Sequence, residues 1–111
     1  MAIASINPAT RELLKSFEPL SDSQIEEKLQ RATHAFSRHR RVPFAERARM
    51  MLKAADILDN EKESHARLMT LEMGKTFRSA LDEAGKCAWA CRYYAEHAER
   101  FLGDEIIETT A

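Results

Sequence analysis

The stretch from Thr76 to Leu102 constrains this chain more than any other, because it runs without a proline and holds one helical pattern throughout. Phe77, Leu81, Ala84, Cys87, Ala88, Cys91, Ala95, Ala98 and Leu102 recur at steps of three and four, which places them on one stripe of a helix. At 1.5 Å per residue such a helix is about 40 Å long. Its stripe is built mostly of small residues, so a neighbouring element can approach its backbone closely. Gly103 is the natural stop.

Three further helices precede it. Ser21 and Gln24 have the spacing of a capping box, and Leu20 and Ile25 that of a hydrophobic staple, so a helix is predicted to begin there. Its apolar face is Ile25, Leu29, Ala32 and Phe36, and it is expected to end near Arg38 to Val42. Pro43 suits the first turn of a second helix, where a missing amide hydrogen is no loss. Phe44, Ala48, Met51, Leu52, Ala55 and Leu58 carry its face to about Asp59. A third helix is predicted from Asn60 to Met73, closed by Gly74 in the left-handed conformation. Before all of these, residues 3 to 6 and 12 to 17 read as two extended segments around the turn Asn7-Pro8-Ala9-Thr10. After them, Asp104 to Ala111 returns to β-type residues and reads as the start of a strand whose partner is missing.

Composition sets outer limits. A chain of 111 residues with 44% hydrophobic content suits one domain with a modest core. Seventeen basic against 18 acidic side chains give a net charge of −1, which provides no general attraction to nucleic acid or to a membrane surface. The amino terminus lacks the basic flank and apolar core of a secretory signal, and no uncharged run approaches the roughly 18 residues that span a bilayer. A cytoplasmic protein is expected. Cys87 and Cys91, the only cysteines, are one helical turn apart, so a disulfide between them would break the helix. Two thiols without further ligands do not make a closed zinc site, and both are read as packed core residues.

The chemical motifs are few. Gly74-Lys75-Thr76 looks like the end of a phosphate-binding loop, but Met69 stands where that pattern needs glycine, and a helix is predicted where it needs a strand. With glycine only at 74, 85 and 103, no dinucleotide-binding turn can be assembled. Neither cysteine lies near a helix amino terminus, and His97 points elsewhere on the helix, so no activated thiol is indicated. His34, His39, His65 and His97 read as surface or core residues. Arg38-His39-Arg40-Arg41, with Arg47 and Arg49, is the one basic concentration; it reads as a solvated helix end whose cations offset the dipole. Glu72 with Lys75, and Arg92 with Glu96, have the spacing of local ion pairs.

The ordered set Ile6-Asn7-Pro8-Ala9-Thr10, Val42-Pro43-Phe44-Ala45-Glu46-Arg47, Leu71-Glu72-Met73-Gly74-Lys75 and the segment 86–98 with its Arg92-Tyr93-Tyr94-Ala95 centre resembles one known family. It is similar to the amino-terminal segment of the NAD(P)-dependent aldehyde dehydrogenases, and within them to the bacterial succinate-semialdehyde dehydrogenases. The resemblance implies a chain that is mainly α, with four helices and a short amino-terminal β hairpin, taken from an α/β fold. It implies that residues 1–111 form the first part of the cofactor-binding domain: hairpin 1–20, helices 21–102, start of a strand 103–111. It further implies that Lys86, Trp89 and Tyr93 border the aldehyde tunnel.

The family's glutamate base, cysteine nucleophile and Rossmann-type cofactor region have no counterpart in these residues. No catalytic, cofactor-binding or metal residue is therefore assigned, and the chain is expected to be inactive alone. In the full enzyme the resemblance implies NAD or NADP as cofactor, succinate semialdehyde as substrate, succinate as product, and homo-oligomeric assembly. The expected partners are the remainder of such a chain or its subunits, with no role for nucleic acid or membrane. Helices that normally pack on a sheet would then expose their apolar stripes. The competing reading is a free-standing helical protein-interaction module.

Overall fold

The computed structural model describes residues 3–110; Met1, Ala2 and Ala111 lie outside the described residues. A two-stranded antiparallel hairpin, β1 (Ile3–Ile6) and β2 (Leu13–Phe17), is followed by α1 (Asp22–His39), α2 (Phe44–Asn60), α3 (Lys62–Met73) and α4 (Phe77–Leu102). The architecture is the expected one: four helices and an amino-terminal hairpin.

The hairpin pairs Ile3 with Phe17 and Ser5 with Lys15, with a register shift between Ser5 and Ile6. Its turn is built by Asn7, whose side-chain oxygen accepts from the Ala9 amide at 2.9 Å, as this residue type does in turns. Arg11 takes the left-handed conformation (φ 65°) and donates its amide to the Asn7 carbonyl at 2.8 Å, which closes the turn.

Each helix begins or ends as its residues dictate. The capping box at Ser21 forms in full: the serine oxygen accepts from the Gln24 amide, and the glutamine side chain accepts from the Ser21 amide at 2.9 Å. Pro43 stands just before α2 and not inside its first turn. The boundary between α2 and α3 is Glu61, which leaves helical geometry at φ −105°, so α3 starts two residues later than its periodicity suggests. Gly74 closes α3 at φ 70°, and Thr76 caps α4 by accepting from the Ser79 amide.

The core is small and made of alanine. Ala80, Ala84 and Ala88 on α4, Ala55 on α2 and Ala66 on α3 are buried, and among the described residues no large side chain is fully enclosed. Helices α2 and α3 both pack on α4, whereas α1 forms no packed interface with another element and buries no residue. The hairpin rests against α3: Ser5 Oγ donates to Glu72 Oε1 at 2.5 Å, and Pro8 lies over Gly74.

One expectation fails. Cys87 is exposed and Cys91 only partly covered, so they are not core residues. The reason is that Cys87 sits at the edge of the α4 stripe, and α2 and α3 cover only its alanine centre. Residues 104–110, expected as the start of a strand whose partner is missing, pair with no other segment among the described residues; Ile106 is 90% and Ile107 77% exposed.

Gly74→Ala tests the joint between hairpin and helices. A Cβ there would sit 3.0 Å from Pro8 Cγ on a backbone with positive φ. The substitution is expected to lower stability by about 1–2 kcal/mol, read as a drop in the thermal unfolding midpoint. An unchanged midpoint would show that the Pro8 contact and the left-handed cap are dispensable.

Candidate functional site

The face of α4 that points away from α2 and α3 carries the side chains with chemical potential. Lys86, Trp89 and Tyr93 are spaced three and four apart and so share it. Trp89 stacks on Tyr93 with ring centres 5.5 Å apart, Tyr93 stacks on His97 at 4.4 Å, and His97 lies 6.0 Å from Phe101. The result is a continuous ribbon of rings at intervals of four residues, open on one side: Trp89 is 61% exposed. His97 is held within it by its Nδ1, 2.9 Å from the Tyr93 carbonyl oxygen. The ribbon follows from the spacing of four residues, which adds His97 and Phe101 to Trp89 and Tyr93.

Lys86 lies in a shallow groove with Lys75, Ser79, Asp82, Glu83, Cys87 and Ala90. Lys75 is ion-paired with Glu83, while Lys86 makes no ion pair with any described residue. A cation left open beside a paired one can receive an anionic group. The same groove holds Cys87 but no histidine, so it has the makings of an anion contact and not of an activated thiol.

One flank of α4, beside Trp89, is fixed by a clamp that helical spacing does not disclose. Arg92 Nη1 donates to Asp59 Oδ2 at 2.6 Å and Nη2 to Asp56 Oδ1 at 2.9 Å. These hydrogen bonds, Asp59 first and then Asp56, raise the Arg92 pKa above its ordinary value. The pair expected with Glu96 does not form, because the guanidinium turns to two carboxylates one turn apart on α2. Glu72 likewise reaches Ser5 and not Lys75. The clamp orients α4, and with it the outward face that bears Lys86, Trp89 and Tyr93.

A second depression, of about 330 Å³, lies between the start of α2 and the end of α4, lined by Phe44, Arg47, Met51, Tyr94, Ala98 and Leu102. Of its lining, Arg47 serves a helix end, its Nε donating to the Val42 carbonyl at 2.7 Å; Arg40, at the end of α1, lies over the Phe36 ring. His65 has its Nε2 enclosed without a hydrogen bond, 3.7 Å from Glu61 Oε2.

The Gly74-Lys75-Thr76 segment does not form a phosphate-binding loop. Gly74 spends its left-handed conformation on the end of α3 with Pro8 against it, and at the start of α4 the Thr76 hydroxyl already takes the Ser79 amide. No group of three or more His, Cys, Asp or Glu side chains among the described residues is placed to hold a metal ion.

The family model described as "Aldehyde dehydrogenase family" matches residues 1–111. A succinate-semialdehyde dehydrogenase [NADP(+)] of Mycobacterium leprae is 49% identical over 111 residues, which is 100% of this chain and 24% of that protein. Among solved structures, one described as giving insights into cofactor and substrate selection by Gox0499 superposes on 100% of this chain and 25% of its own, with TM-score 0.93 and 28% identity. The succinic semialdehyde dehydrogenase of Streptococcus pyogenes, solved with NADP+ as cofactor, covers 98% of this chain and 24% of its own, with TM-score 0.90 and 33% identity. The chain thus spans about a quarter of the length of the proteins it matches.

The clamp predicts a specific pattern of stability. Arg92→Met is expected to lower the unfolding midpoint, Arg92→Lys to restore part of the loss because an ammonium cannot fork to two carboxylates, and Arg92→Met with Asp59→Asn to be less than additive. A group whose pKa is raised on folding stabilises below its unfolded pKa, and that contribution fades only as pH climbs through the raised value. The difference between wild type and Arg92→Met is therefore expected to stay constant from about pH 7 to about pH 10. Full additivity in the double variant would remove the clamp from the account.

Proposed function

The chain belongs to the aldehyde dehydrogenase family, and from that premise we propose that it is the amino-terminal part of an NADP-dependent enzyme oxidising succinate semialdehyde to succinate. The observation that carries this reading is identity of 49% to a succinate-semialdehyde dehydrogenase [NADP(+)] across the full chain, together with the same arrangement of elements in the Streptococcus pyogenes enzyme. In this reading residues 1–111 are the first part of the cofactor-binding domain. The nicotinamide nucleotide supplies the hydride acceptor and is held by polypeptide other than these residues. The partner is the remainder of an aldehyde dehydrogenase chain or its subunits, in a homo-oligomer.

Within that division of labour the outward face of α4 is proposed to border the aldehyde tunnel. Succinate semialdehyde carries a carboxylate at one end and an aldehyde at the other. Lys86, open to an anion, suits the carboxylate. Trp89 and Tyr93 offer an apolar wall for the short methylene chain between the two ends. Cytoplasmic placement is also proposed: among the described residues no helix is long and apolar enough to cross a membrane, and both cysteines are free thiols.

The test is reconstitution. The chain is combined with the Mycobacterium leprae enzyme lacking its matching quarter, and formation of reduced nicotinamide from NADP+ and succinate semialdehyde is followed. Neither part is expected to turn over alone, and the pair is expected to regain activity. In the active pair, Lys86→Met is expected to raise KM for succinate semialdehyde by about tenfold or more, the worth of a hydrogen bond to a charged group, while KM for butanal stays unchanged. Equal effects on both aldehydes would separate Lys86 from the carboxylate.

A further inference from the structure

Cys87 and Cys91 are the only cysteines of the chain and stand one turn apart on α4, which runs unbroken from Phe77 to Leu102. Both are free thiols, Cys87 exposed and Cys91 partly covered. Neither takes part in the Arg92 clamp or in the aromatic ribbon.

The spacing excludes one use of such a pair and suits another. Side chains four apart on a helix have Cβ atoms about 5–6 Å from each other. A disulfide needs about 3.5–4.5 Å, so the two sulfurs cannot join while the helix stands. A cation between them asks for a wider gap. Two metal–sulfur bonds of roughly 2.3 Å in line set the sulfurs about 4–5 Å apart, a separation that thiols at this spacing reach by side-chain rotation alone.

The number of donors selects the cation. Thiolates are soft ligands that favour Cu(I), zinc and iron–sulfur clusters. Structural zinc and iron–sulfur clusters take four protein ligands, and no group of three or more His, Cys, Asp or Glu side chains among the described residues is placed to hold a metal ion. Closed-shell Cu(I) is satisfied by two thiolates in line. Such a unit keeps one negative charge. Lys86, which lines the same groove as Cys87 and makes no ion pair with any described residue, is placed to offset it.

We propose that Cys87 and Cys91 form a two-coordinate site for the soft monovalent cation Cu(I), held between the two sulfurs on an intact α4. Binding is a ligand exchange with no change of oxidation state: two S–H bonds break, two protons leave to solvent, and two S–Cu bonds form from the thiolate electron pairs. The exposed Cys87 gives the cation its way in. The inference stands on the helix and is independent of the family reading.

The purified chain, reduced and kept free of oxygen, is titrated with Cu(I) buffered by bicinchoninate, whose coloured copper complex reports the metal that the protein leaves behind. One Cu(I) per chain is expected, with the helical circular dichroism signal unchanged and a native mass spectrum of one chain with one copper. Cys87→Ser and Cys91→Ser are each expected to lower the affinity at least about a hundredfold, because the second thiol acts at the high effective concentration of the same helix turn. Cys91→Met, which returns a soft sulfur at that position, is expected to recover part of the loss. Zn(II) is expected to bind the wild-type chain at least about a hundredfold more weakly than Cu(I), for want of further ligands.

A serine variant that holds Cu(I) as tightly as the wild type overturns the inference. So does a complex of two chains to one copper, which would assign the thiols to separate molecules. Loss of the helical signal on binding, or Zn(II) held as tightly as Cu(I), overturns the two-coordinate site on the standing helix.

Discussion

Everything in this unit depends on how closely α2 and α3 can approach α4. The contact is made by alanine on both sides: Ala80, Ala84 and Ala88 from α4, Ala55 from α2 and Ala66 from α3. Side chains of one carbon let helix backbones come near each other and lock in place, but they remove little apolar surface from water. At roughly 25 cal/mol per Å², an alanine core gives a modest driving force for a chain of this length. The Arg92 clamp adds a directional element, joining α4 to two carboxylates of α2 across more than 30 positions of sequence.

The same choice of small core residues explains the outer surface. Large apolar and aromatic groups do not fit between helices this close, so they are distributed around the outside: Leu29 and Phe36 on α1, Trp89 and Phe101 on α4, Ile106 and Ile107 beyond it. The unit is accordingly extended, with a radius of gyration of 19.8 Å against about 13 Å for a compact domain of 100 residues. An exterior of this kind leaves large apolar groups open to contact, and the chain matches about a quarter of each related chain. Helix α4 is two-sided: an alanine side that builds the unit, and an aromatic and cationic side turned outward.

Most of the fold was legible because it is written in local rules. The Ser21–Gln24 box, the turn at Asn7-Pro8, Gly74 as a left-handed stop and Thr76 as a cap are each decided within a few residues. The aromatic ribbon follows from steps of four. Local spacing does not select ion-pair partners or burial. Arg92 has Glu96 one turn away, yet binds Asp56 and Asp59; Glu72 has Lys75 nearby, yet binds Ser5. Cys87 lies on the helical stripe, but a stripe is only as wide as the neighbour covering it.

The sequence by itself determined the elements, those ends that carry a capping residue, and the family, because hydrophobic period, capping residues and motif order are properties of short stretches of chain. The tertiary structure decided which side of α4 is inside, that Lys86 stays open while Lys75 is paired, that α1 stands away from the rest, and that residues 104–110 remain unpaired. Those outcomes depend on which surfaces meet. A surface's partner is fixed by distance in space and by competition among distant groups, and neither is encoded in the spacing of residues along one helix.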